Sequence, residues 1–216
     1  MTIPSALKKG DKVAIISTAR KLAESEIATS ISLLNSWGLE ATLGKHLFES
    51  DNQFAGTDQN RAEDLQKAIN DPEIKAIICA RGGYGTVRII DRIDFSNFVK
   101  LPKWICGYSD VTALHCHVQQ NCNIATLHST MPINFATNTQ EALNSLKNVL
   151  FGNANEYKIP SHPMNRTGSC SGEVIGGNLS MIYSILGSSS APTTQGKILF
   201  LEDLDEYLYH IDRMMM

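Results

Sequence analysis

The chain has 216 residues, 43% of them hydrophobic and 19% charged, which is enough apolar material for a core and too little charge for a disordered polymer. A formal net charge of -3 removes the electrostatic case for nucleic acid or an anionic membrane as partner and leaves a small polar or zwitterionic ligand. The opening "MTIPSALKKGDKVAIIST" has no signal-peptide core, and no later run is apolar over the length of a bilayer, so a cytoplasmic address is expected.

"KVAIIST" (12 to 18) reads as a strand, followed by a helical stretch from Leu22 to Trp37 that Gly38 ends. "LEATLG" is a short second strand, and Arg61 to Ile69 has helical apolar spacing. "IKAIICA" (74 to 80) is a continuous apolar run of the kind buried on both faces of a parallel sheet. "TVRIIDRI" then reads as helix, "KWICGY" as strand, "VTALHCHVQQ" as helix, "NIATLHS" as strand and "TQEALNSLKNVL" as helix. Repeated strand and helix units predict an α/β fold with right-handed crossovers.

After Phe151 the texture changes. "GNANEYKIPSHPMNRTGSCSG" is rich in Gly, Pro, Asn and Ser, as a connection between domains is. The expected division is a first domain over 1–151, a linker over 152–171 and part of a second domain over 172–216. "EVIGGNLSMIYSILG" and "KILFLED" follow, and "YLYHIDRMMM" has helical spacing that stops on three methionines, which suggests a domain cut short. The five cysteines, Cys79, Cys106, Cys116, Cys122 and Cys170, form no Cys-x-x-Cys pair, so reduced thiols and no zinc site are expected.

Ligands of an open parallel sheet bind at the carboxyl ends of its strands. The first end carries "STARK", without a dinucleotide fingerprint; the others carry "ARGGYGT", "GYSD" and "LHST". Ser109 has two readings, an N-cap of the next helix or a nucleophile lifted above the sheet on a tight turn. The paired glycines of "RGGYG" allow a ligand close to backbone N–H groups, as an oxyanion cradle requires, or form an ordinary turn. Arg81 offers a bidentate partner for a carboxylate. Of the six histidines, His115 lies roughly 9 Å along the helix axis from Ser109, whereas His128 shares its rim if the fourth and fifth strands are neighbours. Glu202 follows a buried strand, where it either orients an imidazole or begins a turn with Asp203 and Asp205.

"ARGGYGTVRIIDRIDF", "WICGYSDVTALH", "GEVIGGNLSMIYSILGS" and "ILFLEDLDEYLYHIDRM", in this order, closely resemble the LD-carboxypeptidase family of serine peptidases, also called muramoyltetrapeptide carboxypeptidases. The resemblance covers nearly the whole chain. It implies a flavodoxin-like α/β N-terminal domain, a β-rich C-terminal domain, an active site between them, and a Ser-His-Glu triad with no metal or other cofactor. It implies Ser109 as nucleophile, Glu202 as the triad carboxylate, and backbone N–H groups near Gly83 and at Asp110 as the oxyanion hole. Arg81 and Tyr84, on the same turn, are the substrate-binding candidates.

Two departures accompany it. The family's histidine lies beyond the "IDRM" helix, where no histidine of this chain matches, and "HSTMP" stands where many relatives have "HGPM". The expectation is a family member truncated in its second domain, with little or no hydrolysis from residues 1 to 216 alone. The implied reaction of the family is cleavage of the bond between meso-diaminopimelate or L-lysine and the terminal D-alanine of a murein tetrapeptide, in cell-wall recycling. Its members are often homodimers. The alternatives are a microcin-C immunity type of peptidase within the family, and a noncatalytic flavodoxin-like module whose turns hold an anion.

Overall fold

The computed structural model describes all residues, 1–216, as seven strands and seven helices joined by loops and short 3₁₀ turns. A strand covered on both faces has no solvent side, so its sequence carries no alternation. Accordingly β1 (Lys12–Ile16), β3 (Ile74–Cys79) and β4 (Trp104–Gly107) bury almost every residue. β2 (Glu40–Leu43) and β5 (Leu127–His128) are the edges and stay partly exposed. All pairings are parallel, in the order β2-β1-β3-β4-β5, the doubly wound flavodoxin-like order with its switch point between β1 and β3.

Alternate residues of each strand feed two cores. Val13, Ile15, Ile78 and Cys106 pack on one face with Leu34 of α1 (Ala28–Ser36) and with Leu143, Leu146 and Leu150 of α5 (Gln140–Leu150). Ala14, Ile16, Ile77 and Cys79 pack on the other with Leu65 and Ile69 of α2 (Asp58–Asn70), Phe98 of α3 (Ser96–Lys100), and Leu114 and Val118 of α4 (Thr112–Cys122). Each fully buried Leu or Ile contributes roughly 1.5–3 kcal/mol.

Residues 174–216 build a second, smaller unit. β6 (Val174–Asn178) pairs in parallel with β7 (Ile198–Glu202), and α6 (Leu179–Ile185) seats Ile182 and Ile185 on Ala113 and Cys116 of α4. α7 (Leu208–Met215) buries none of its residues. No helix is long and apolar enough to cross a membrane.

Three elements differ from the reading of the sequence. The stretch from Leu22 divides at Ile27, whose φ of -121° leaves the helical region, so that α1 begins only at Ala28. "TVRIIDRI" forms two 3₁₀ turns, Thr86–Arg88 and Ile90–Arg92, because its β-branched residues resist helical χ1 angles and Thr86, Ile89 and Ile90 are pulled into the core together. "NIATLHS" pairs with β4 only at Leu127 and His128. Its earlier part is taken by the N-terminal segment: Thr2 donates to Asn123 O at 2.8 Å and accepts from Ala125 N at 2.8 Å.

Candidate active site

Ser109 stands two residues past the end of β4, in the left-handed region at φ 60°. An L-residue there costs about 1–2 kcal/mol relative to the right-handed region, and such strain persists only where surrounding structure imposes it. The following 3₁₀ turn, Ser109–Val111, has Tyr108 at its N-cap position and no side-chain cap. Ser109 is therefore not an N-cap, and its partly exposed side chain faces Gly82: a Cβ at Gly82 would lie 3.2 Å from Ser109 Cβ and 3.3 Å from Oγ. Glycine at 82 leaves room for the hydroxyl.

The "RGGYG" turn crosses directly over this serine. Gly83 (φ 116°) and Gly85 (φ 148°) both need angles that side chains avoid. A Cβ at Gly83 would collide with the Arg20 side chain, and one at Gly85 would reach Thr18 O and Ala19 Cα at 3.0 Å. The turn is thus clamped against the end of β1. Arg81 Nη1 donates to Lys21 O at 3.1 Å, 4.0 Å from Glu26. Tyr84 is exposed and leans toward Phe54, ring centroids 6.1 Å apart.

Asp110, the residue after Ser109, is fully buried, and its Oδ2 accepts from Thr86 N at 2.9 Å. Burial pushes its carboxyl up, against the lowering effect of the Thr86 hydroxyl, the Thr86 and Gly85 amides and the Arg61 charge. The serine turn and the glycine turn are joined by this one side chain.

Glu202 comes from the second unit to the side of His128. It ends β7, in register with Asn178 of β6. Burial first, and then the charge of Asp203, hold its carboxyl above the usual range, while a hydrogen bond from Asn178 opposes both. His128 is opposite Gly107 in the sheet and thus beside the Ser109 turn. Its Nε2 is 3.8 Å from Glu202 Oε1, beyond hydrogen-bond reach, and that oxygen has no other partner. The ring packs against Phe200, centroids 5.3 Å apart, and burial lowers its pKa. The Ser109 turn thus touches the glycine turn through Gly82 and Asp110, and His128, opposite Gly107, stands between the end of β4 and Glu202.

Several residues that tie the units together were not singled out in the sequence. Asn178 N donates to Thr112 Oγ1 at 3.0 Å, and its side chain caps α6 by accepting from Met181 N at 3.1 Å. Asp203 accepts from Asn178 Nδ2 at 3.1 Å and Ser180 N at 2.9 Å. A strand ending in Asn with Ser two residues on is an N-cap signal and would have found Asn178. Nothing local points to Arg20, and Asp203 is legible only as part of the acidic turn after Glu202.

His115, too far along its helix to reach the serine, turns back toward the helix N-terminus as long helical side chains do. Its Nε2–H donates to Gly107 O at 2.9 Å, which bolts the end of β4, and burial pushes its pKa down to about 4. In the unfolded chain the ring takes its proton near 6.5, so the unfolded state binds the extra proton between pH 6.5 and about 4. Stability is therefore expected to fall as pH falls through that window, by on the order of 3 kcal/mol in full. Urea unfolding at stepped pH measures this, and His115→Gln should flatten the slope; an unchanged slope would show that other groups carry it.

Comparison with known proteins adds the following. Residues 13–129 match the LD-carboxypeptidase N-terminal domain and residues 171–216 the LD-carboxypeptidase C-terminal domain. A Bacillus subtilis (strain 168) protein named "Probable murein peptide carboxypeptidase" is 39% identical over 98% of the chain and 68% of its own length. The "Murein tetrapeptide carboxypeptidase" of Pseudomonas aeruginosa is 31% identical over 94% of the chain and 69% of its length. Among solved structures, an MccF-like protein from Bacillus anthracis superposes with a TM-score of 0.90 at 26% identity, over 100% of this chain and 75% of that one. A muramoyltetrapeptide carboxypeptidase from Oxalobacter formigenes gives 0.86 at 26% identity, over 94% and 69%.

Proposed function

Since the chain belongs to the LD-carboxypeptidase family, we propose that it is a serine carboxypeptidase that removes the terminal D-alanine from murein tetrapeptides in the cytoplasm. The observation that carries this reading is Ser109, held at φ 60° on a strand-to-helix turn against a glycine turn, with Glu202 3.8 Å from His128, the residue opposite Gly107 at the end of the same strand. Ser109 Oγ attacks the carbonyl carbon of the L,D bond, and the oxyanion forms against the backbone N–H groups near Gly83 and at Asp110. The serine proton passes to an imidazole and then to the amine of the departing D-alanine; water releases the acyl group from Ser109 by the reverse sequence. Glu202 orients that imidazole. In the family pattern it comes from beyond the "IDRM" helix, and His128, which lacks the orienting hydrogen bond to Glu202, has a packing role. Arg20 and Arg81 flank the turn and supply positive charge for the substrate's terminal carboxylate.

The test is to supply the whole protein with a murein tetrapeptide and, separately, with an aminoacyl sulfamoyl adenosine, and to follow free D-alanine and free amino acid. D-alanine release with little turnover of the nucleotide is expected. The reverse preference would favour the microcin-C immunity reading, which the fit to the Bacillus anthracis MccF-like protein keeps in view. No turnover of either, with no labelling of Ser109 by a fluorophosphonate, would leave the noncatalytic anion-binding module.

A further inference from the structure

The hydrolase reading asks the glycine turn to present an N–H at a fixed place over Ser109, and a turn built on Gly82, Gly83 and Gly85 has little rigidity of its own. Glycine loses more conformational freedom on ordering than any other residue. Something outside the turn must therefore hold it.

A buried polar chain runs from the serine turn through the glycine turn into the body of the fold. Asp110 Oδ2 accepts from Thr86 N at 2.9 Å, and the Thr86 hydroxyl and Gly85 amide also face the carboxylate. Thr86 Oγ1 and Thr18 Oγ1 are 2.8 Å apart, which joins the glycine turn to the end of β1. Thr18 O then accepts from Arg61 Nε at 3.2 Å, and Arg61, 1% exposed, also donates to Gly56 O at 2.7 Å and pairs with Asp58. Asp110, Thr86 and Thr18 are each fully buried. The ends of β1, β3 and β4 are thus fastened together. A carboxylate oxygen accepts more strongly than a carboxamide oxygen, so an amide at this position keeps the shape of the clamp but weakens it.

We propose that the Asp110 side chain is a positioning residue for hydrolysis, clamping the 82–86 turn to the Ser109 turn so that the oxyanion-holding amides are set before substrate arrives. The assignment rests on the serine-hydrolase reading and adds to it a role for the carboxylate, distinct from that of the Asp110 backbone N–H. The neighbouring Oδ1 has no partner.

The experiment is Asp110→Asn in the whole protein, assayed on tetrapeptide beside Ser109→Ala. A donor-holding clamp acts on the transition state, so kcat should fall by about 10²-fold with KM within about threefold. Affinity for a phosphonate mimic of the tetrahedral intermediate should fall in parallel, while affinity for the tripeptide product is unchanged. A merely structural role would weaken product and mimic alike. Wild-type kcat and mimic affinity in a folded Asp110→Asn, or equal loss of both affinities, overturns the assignment. If Asp110→Asn does not fold, Thr18→Val removes the hydroxyl contact to Thr86, together with a contact to the Cys79 thiol, and is read by the same split between mimic and product. Loss of activity in Ser109→Ala with normal Asp110→Asn defeats the Asp110 role alone; normal activity in Ser109→Ala defeats the hydrolase reading and the clamp with it.

Discussion

Ser109→Ala is expected to lower kcat for D-alanine release by about 10⁴-fold or more, the scale on which loss of a serine nucleophile is felt when the rest of the site survives. The substitution keeps Cβ, so it also keeps the strain of a φ of 60°. Ser109→Gly should be equally inactive but more stable than the parent, because glycine enters the left-handed region without the penalty of about 1 kcal/mol or more. For a chain of this size that is a rise in Tm of about 2–4 °C. The pair of variants separates chemistry from conformation. Turnover that survives in both would remove Ser109 from the reaction, and equal melting temperatures for Gly and Ala at this position would contradict the strained turn.

The second large effect is expected outside the serine turn, at Gly176. Its φ is 136°, a conformation open to glycine almost alone, and a Cβ there would overlap the carbonyl oxygen of Phe200, its partner across β6 and β7. The obstacle is backbone on the neighbouring strand, which cannot swing aside as a side chain does. Gly176→Ala therefore has to part the two strands, at a cost of about 2–6 kcal/mol when strain and overpacking are added. β7 ends in Glu202, so parting the strands withdraws the carboxylate from the side of His128. Hydrogen exchange should show lost protection at the amides of β6 and β7, with β1, β3 and β4 unaffected, and D-alanine release should fall with it. Native protection across β7 in Gly176→Ala would refute the argument.

The same two positions mark how far the sequence can be read. "GYSD" presents both an N-cap and a nucleophile turn, and local chemistry leaves the choice open because a serine before a helix suits either. The backbone at Ser109 removes the first reading: the residue is left-handed and no side-chain cap is made. "IGGN" carries no sign of why two glycines adjoin. The reason is across the sheet for Gly176, and in the packing against α4 for Gly177, whose Cβ would lie 2.6 Å from Thr112 Oγ1.

By itself the sequence determined the parallel α/β sheet, because strands buried on both faces must be apolar throughout and need no partner to be recognised. β1, β3 and β4 are legible for that reason. Likewise the family follows from four ordered motifs. Tertiary structure alone decided which polar side chains meet: that Asp110 grips Thr86, 24 residues away, that Glu202 comes to face His128, and that "TVRIIDRI" breaks into two turns to fill the core. Hydrophobic burial is written residue by residue in composition and spacing. Hydrogen bonds and close backbone approaches depend on where distant segments come to rest, and that is settled only when the chain has packed.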